Sequence, residues 1–247
     1  METTSLVDAC KSGDLEEIKA QLKAGSDINA VSATGSTPLI YAAQNNQLEA
    51  VELLLQKGAS VNEKNKIGGT ALNRAAENGN LEMMNLLFEH GAEIGPLALI
   101  LAAREGQLEA VKLLVEKGAD IDARQHWGQT ALMFAAKEGH LNVVRYLISK
   151  GADVRIKDKN GNTALNHANE NEQTDVAVVL RSAGATESRV KKRTSAPASD
   201  DEEDDMDDSS DDIDASSDID ASSDIDTSTD IDDIADEDAG EDDDPKD

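Results

Sequence analysis

Six glycines at regular spacing constrain this chain more than any other feature. Gly25, Gly58, Gly91, Gly118, Gly151 and Gly184 are separated by 33, 33, 27, 33 and 33 residues. A fixed period of this length marks a solenoid, because one such unit cannot bury its own apolar face and must stack on its neighbours. Aligned on the glycines, the units read GSTPLIYAAQNNQLEAVELLLQKGASVN, GGTALNRAAENGNLEMMNLLFEHGAEI, GPLALILAAREGQLEAVKLLVEKGADID, GQTALMFAAKEGHLNVVRYLISKGADV and GNTALNHANENEQTDVAVVLRSAGA. A shorter first unit, SLVDACKSGDLEEIKAQLKAGSDIN, lacks the leading turn.

Each unit has a local physical reading. Thr37, Thr70, Thr130 and Thr163 stand where a side-chain oxygen caps the first turn of a helix, and Pro38 follows where a missing N–H costs nothing. The pairs Ala42 and Ala43, Ala75 and Ala76, Ala102 and Ala103, and Ala135 and Ala136 keep that helix thin enough for close stacking. A second helix carries an apolar stripe at three- and four-residue spacing, as in Leu48, Val51 and Leu55 or Leu141, Val144 and Ile148. The glycine of each Gly-Ala pair ends it in a left-handed cap, and the residues beyond suit an extended turn out and back. The expected fold is an all-α repeat solenoid of helix-turn-helix units joined by β-hairpin-like loops. It occupies residues 1–186, with repeats near 1–34, 35–67, 68–94, 95–127, 128–160 and 161–186.

The pattern resembles the ankyrin repeat, through TPL at Thr37 to Leu39 and its TAL versions, the paired alanines, EGHLNVV at Glu138 to Val144 and KGADI at Lys117 to Ile121. One position departs: the family's histidine after TPL is replaced by Ile40, Asn73, Ile100, Met133 and Asn166. The resemblance implies that hairpin tips, or fingers, and first helices line a concave face that grips other proteins. The fingers are then Val31 to Thr34, Lys64 to Ile67, Arg124 to Trp127 and Lys157 to Asn160. Trp127, the sole tryptophan, falls at a tip beside His126, while Tyr41 and Phe134 hold equivalent outward positions on first helices. Such aromatic residues dominate interface energetics, and a tip offers a tryptophan little to pack against. Tyr41 and Phe134 suit packing between repeats equally well. Lys64, Lys66, Arg124, Lys157 and Lys159, with Ile67 among them and Arg74, Arg104 and Lys137 behind, make the face basic.

The one short step is an omission of six residues between Gly91 and Gly95. A finger belongs there, and the same unit has Leu97 where the others have a capping threonine. A missing finger and a lost cap, the latter worth about 1 kcal/mol, are therefore expected. A tolerated surface deletion explains the omission; so does a notch that admits part of a partner.

Charge divides the chain. Residues 194–247 hold 26 of the 51 acidic residues and one of the 23 basic ones, a net of −25, which leaves −3 for the rest. Residues 187–199 form a linker with the basic cluster Arg189, Lys191, Lys192 and Arg193, and residues 200–247 are expected to be a disordered acidic tail. Within it the unit ASSDID recurs, placing Ile213, Ile219, Ile225 and Ile231 at even spacing. Ser199, Ser209, Ser217, Ser223, Thr227 and Thr229 precede acids in the manner of acidophilic kinase sites.

No phosphate loop, HExxH, GxSxG or paired-cysteine motif occurs, and the four histidines fall at unlike positions of four repeats. The expectation is a protein without catalytic, cofactor or metal site, monomeric, binding neither nucleic acid directly nor a membrane. Cys10, the only cysteine, reads as a small buried residue. METTSLVDACKSGD has neither a basic start nor a long apolar run, so the cytoplasm is the expected setting, or the nucleus if the cell has one. Two functions fit. One is a protein-binding array with a regulatory tail; the alternative is a tail that chaperones or decoys basic proteins, addressed by the repeats.

Overall fold

The computed structural model describes residues 5–187. These form twelve helices in six pairs: α1 Leu6–Ser12 and α2 Leu15–Lys23, α3 Pro38–Gln44 and α4 Leu48–Gln56, α5 Ala71–Glu77 and α6 Leu81–Glu89, α7 Pro96–Arg104 and α8 Leu108–Glu116, α9 Ala131–Glu138 and α10 Leu141–Ser149, α11 Ala164–Glu170 and α12 Thr174–Ser182. First helices stack on first helices along one row and second helices on second helices along another. No strand occurs among the described residues, so the solenoid they form is all-α, as the caps and helical stripes predict. The basic cluster, the acidic tail, its isoleucines and its serines lie outside the described residues.

The threonine caps are formed. The hydroxyls of Thr37, Thr70, Thr130 and Thr163 accept the N–H of Ile40, Asn73, Met133 and Asn166. At the last of these, the Asn166 side chain also accepts the Thr163 N–H, completing a capping box. Those partner positions are the ones where the family's histidine is absent, and Ile40, Asn73, Ile100 and Met133 are buried there. The histidine's site has thus become part of the core in most units. Replacing Thr130 by alanine is expected to lower the unfolding free energy by about 1 kcal/mol, read by urea denaturation.

Each alanine of the four pairs is fully buried, which lets neighbouring first helices approach closely. On the second helices the buried stripe is centred one residue away from the spacing expected. Val51, Leu54 and Leu55, or Val143, Val144 and Leu147, are inside, whereas Leu48, Leu141 and Ile148 are only half-buried. Packing against two neighbours, rather than periodicity alone, sets that centre.

The units are also clasped by polar groups. The side-chain oxygens of Asn29, Asn62 and Asp122 accept the N–H of Ser60, Glu93 and Asp153, each one unit further on, at 2.9, 2.9 and 3.0 Å. His140 Nε2 lies 2.7 Å from the carbonyl of Arg104 in the preceding unit. A carbonyl only accepts, so Nε2 carries the proton. This bond satisfies an otherwise orphan acceptor at the end of α7. It also explains Gly106, with φ +69°, because a Cβ there would fall 2.6 Å from His140 Nδ1.

The short unit corrects one expectation. Leu97 is not an empty cap position: α7 begins earlier, with Gly95 as N-cap and Pro96 in the first turn. The helix has nine residues where α3, α5 and α11 have seven. No side chain caps it, but Pro96 removes one of the N–H groups that would need capping. Gly95 also occupies the place held by Asn29, Asn62 and Asp122 elsewhere, so that clasp to the next unit has no side chain to form it.

Candidate protein-binding surface

The four fingers share one construction. The N–H of Ser32, Asn65, Gln125 and Asp158 donates to the carbonyl of Ser36, Gly69, Gln129 and Asn162, at 2.9 to 3.0 Å. Their own carbonyls accept the N–H of Gly35, Gly68, Gly128 and Gly161. The same four side chains then accept backbone N–H groups inside the tip: Ser32 from Ser36, Asn65 from Ile67 and Gly69, Gln125 from Trp127, and Asp158 from Asn160 and Asn162. These tip-building residues were missed in the sequence, although each stands three before a marker glycine and each is polar. Asp158 is buried, and its second oxygen lies 3.0 Å from His167 Nε2.

Rigid tips expose what they carry. Among the described residues five large hydrophobic side chains are well exposed, and three of them are on fingers: Val31 at 67 %, Ile67 at 76 % and Trp127 at 45 %. Trp127 meets His126 edge to face, with ring centroids 5.4 Å apart, and the Lys159 ammonium sits 5.7 Å from the Trp127 ring centroid. His126, Lys64, Lys66, Arg124, Lys157 and Lys159 are exposed. The Asp153 carboxyl is held below the usual range, first by the N–H of Arg155, with Arg124 adding a smaller Coulombic pull.

The helical candidates differ. Tyr41 is half-buried; its hydroxyl lies 3.1 Å from the hydroxyls of both Ser32 and Thr34, and the Lys11 ammonium is 4.9 Å from its ring centroid. It braces the first finger. Phe134 is half-buried and packs against the core. Arg74 and Arg104 both bind Glu77, at 2.7 and 2.6 Å, and Arg104 also binds Glu105 at 2.8 Å. Their charge is answered within the array, so the basic character of this face belongs to the fingers.

The histidines are dispersed: His90 Nδ1 meets the carbonyl of Leu86, His126 is at a tip, and His140 and His167 make the contacts given above. Among the described residues no group of three or more His, Cys, Asp or Glu is placed to hold a metal ion. No described helix is long and apolar enough to cross a membrane. Cys10 is buried, and burial pushes its thiol up to about 12, which suits a packing role.

With stacked helix pairs and a row of fingers established, the class is a repeat array of the interaction type. The family profile described as ankyrin repeats (3 copies) matches residues 6–97 and 99–191, and the chain belongs to the ankyrin-repeat family. No curated protein sequence matches significantly. Among 611 similar solved chains is the human ASB11 ankyrin repeat domain, 25 % identical at TM-score 0.66, over 75 % of this chain and 88 % of that one. Another comes from the complex of the Bd0816 predatory endopeptidase of Bdellovibrio bacteriovorus with immunity protein Bd3460. It is 32 % identical at TM-score 0.64, over 72 % of this chain and 97 % of that one. Ankyrin arrays generally bind proteins.

Proposed function

We propose that the chain is a non-catalytic binding protein whose finger row holds a protein partner through Ile67, Trp127 and the surrounding lysines. The observation that carries this reading is the exposure of Val31, Ile67 and Trp127 on tips whose backbone is already fixed by internal hydrogen bonds. Apolar groups on preorganised tips lose little entropy on binding. Lys64, Lys66, Lys157 and Lys159 form no ion pair among the described residues, which favours a partner with an acidic surface. The likeness to a chain of an endopeptidase and immunity-protein complex makes an enzyme one class of partner to offer. Capture experiments should compare the full chain with an Ile67→Ser, Trp127→Ser form. A protein held by both alike counts against the finger row.

The acidic segment 200–247 supplies a second reading, resting on its net charge of −25. We propose that it acts through charge, weakening the binding of acidic partners at low ionic strength and drawing in basic ones. Deleting residues 200–247 is expected to tighten an acidic partner severalfold at low salt and hardly at all at 0.5 M, where charge is screened within a few ångströms. Titration by calorimetry across that salt range checks it. If a basic protein is captured by the full chain and lost on deletion, the tail is the active part.

A further inference from the structure

The finger row contains a pattern and one interruption. Lys66 N–H donates to the carbonyl of Thr34 at 3.1 Å, and Lys159 N–H donates to the carbonyl of Trp127 at 3.0 Å. In both bonds the donor stands two before its marker glycine and the acceptor one before the glycine of the preceding finger. The row is therefore built as two bonded pairs. Between them lies α7, whose unit has no finger. The next acceptor in the pattern is Ile67 O and the next donor is His126 N–H, and neither bonds to a finger.

The slot has recognisable walls. Ile67 on the near finger is the most exposed large hydrophobic of the described residues, and His126 stands exposed on the far one. Between them α7 offers exposed Pro96 and half-buried Leu97. Leu97 leans onto the near finger: a Cβ on Gly68 would lie 3.8 Å from Leu97 Cδ1, whereas at Gly35 and Gly128 that space is taken by the next finger's backbone. Stacked helices repeat every 8–10 Å, so the two fingers are separated by about twice the usual step. A two-legged turn fills such a gap and a single extended strand does not. The flanking tips carry Lys64, Lys66 and Arg124, with no acid at the tip itself.

We infer that this slot receives an acidic β-turn of the partner protein, which takes the place of the missing finger. Its tip accepts from His126 N–H and donates to Ile67 O, its apolar residue rests on Ile67, Pro96 and Leu97, and its carboxylates face Lys64, Lys66 and Arg124. This rests on the finger-row reading above and specifies what that row recognises.

The test uses the full chain and a backbone-cyclised hairpin peptide presenting an Asp-Gly turn flanked by Ile and Asp. Amide exchange at His126 and fluorescence titration are measured on the natural chain. They are repeated on a form with Asn-Glu-Lys-Asn-Lys-Ile inserted between Ile94 and Gly95, together with Pro96→Asn and Leu97→Thr. The insertion copies Asn62 to Ile67 and restores both finger and cap, so this form is expected to fold. Protection of His126 N–H by the peptide, with at least tenfold weaker binding to the refilled form, is the result expected. Equal binding to both forms, no binding to the natural chain, or binding without His126 protection overturns the inference. So does protection of His126 in the chain alone, the occupant being a second copy if protection rises with concentration and a segment of the same chain if it does not. Equal partner binding to both forms, together with loss on Trp127→Ser, leaves the finger row standing and removes only the slot.

Discussion

Replacing Leu114 by alanine lowers the unfolding free energy of the chain by about 3 kcal/mol, within the 2–5 kcal/mol usual for a buried leucine. Leu114 has no exposed surface and lies near the C-terminal end of α8, a helix that packs on α6 on one side and α10 on the other. A cavity there cannot be closed by moving one helix, since each neighbour is held by the unit beyond it. Stability in a stacked array is a sum of unit and interface terms, so the loss falls on two interfaces at once. It also falls on the weakest place. The clasp from the α6 unit to the α8 unit is missing, because Gly95 stands where Asn29, Asn62 and Asp122 stand elsewhere, and no finger precedes α7 to bond either neighbour. The urea transition of L114A is therefore expected to broaden as the two blocks separate, with an apparent m-value below that of the natural chain. Lys112→Ala, on the exposed side of the same helix, should change stability by no more than about 0.5 kcal/mol. A loss under 1 kcal/mol at Leu114, or an unchanged sharp transition, would show that neighbour coupling does not carry the fold.

That cost was legible in the sequence because it depends on local repetition. The glycine period, the capping threonines and the paired alanines each report a constraint that recurs in most units, and where each occurs it is met in the structure. What could not be read were relations between units. That the stripe takes in Leu54 and leaves Leu48 half-buried depends on where two neighbours press. The reach of His140 to the carbonyl of Arg104 crosses a unit boundary, as does the grip of Glu77 on Arg104. Arg104 looked like part of a basic face for that reason, since Glu77 lies in the preceding unit; the Arg74–Glu77 pair, three residues apart on α5, was legible in the sequence. Leu97 shows the opposite case. Alignment placed it at a cap, but six fewer residues ahead of it freed Gly95 and Pro96 to start the helix earlier. Tip construction by Ser32, Asn65, Gln125 and Asp158 was legible in principle. Four polar residues at one repeat position, three before a glycine that turns back, are the mark of side chains that accept their own loop's N–H groups.

Replacing Trp127 by alanine weakens the partner captured on the full chain by about 2–3 kcal/mol, roughly 30- to 150-fold in Kd. Two roles compete for this side chain. As a structural element it packs beside Lys159 and against the edge of His126, and its removal would loosen the fourth and fifth units without touching a partner directly. As a contact it presents a large ring, nearly half exposed, on a tip that needs no ordering. The backbone separates the roles. Trp127 N–H bonds to Gln125 Oε1 and its carbonyl takes Lys159 N–H, and both bonds survive truncation to alanine. The tip should keep its shape, and the stability loss should stay below about 1 kcal/mol, as for a side chain that is 45 % exposed. Affinity is then expected to fall while the unfolding midpoint barely moves. Phenylalanine at the same position, retaining an apolar ring of smaller area, should recover part of the loss. If W127A instead lowers the midpoint strongly and leaves partner affinity unchanged, the ring belongs to the array's own packing and the contact lies elsewhere along the fingers.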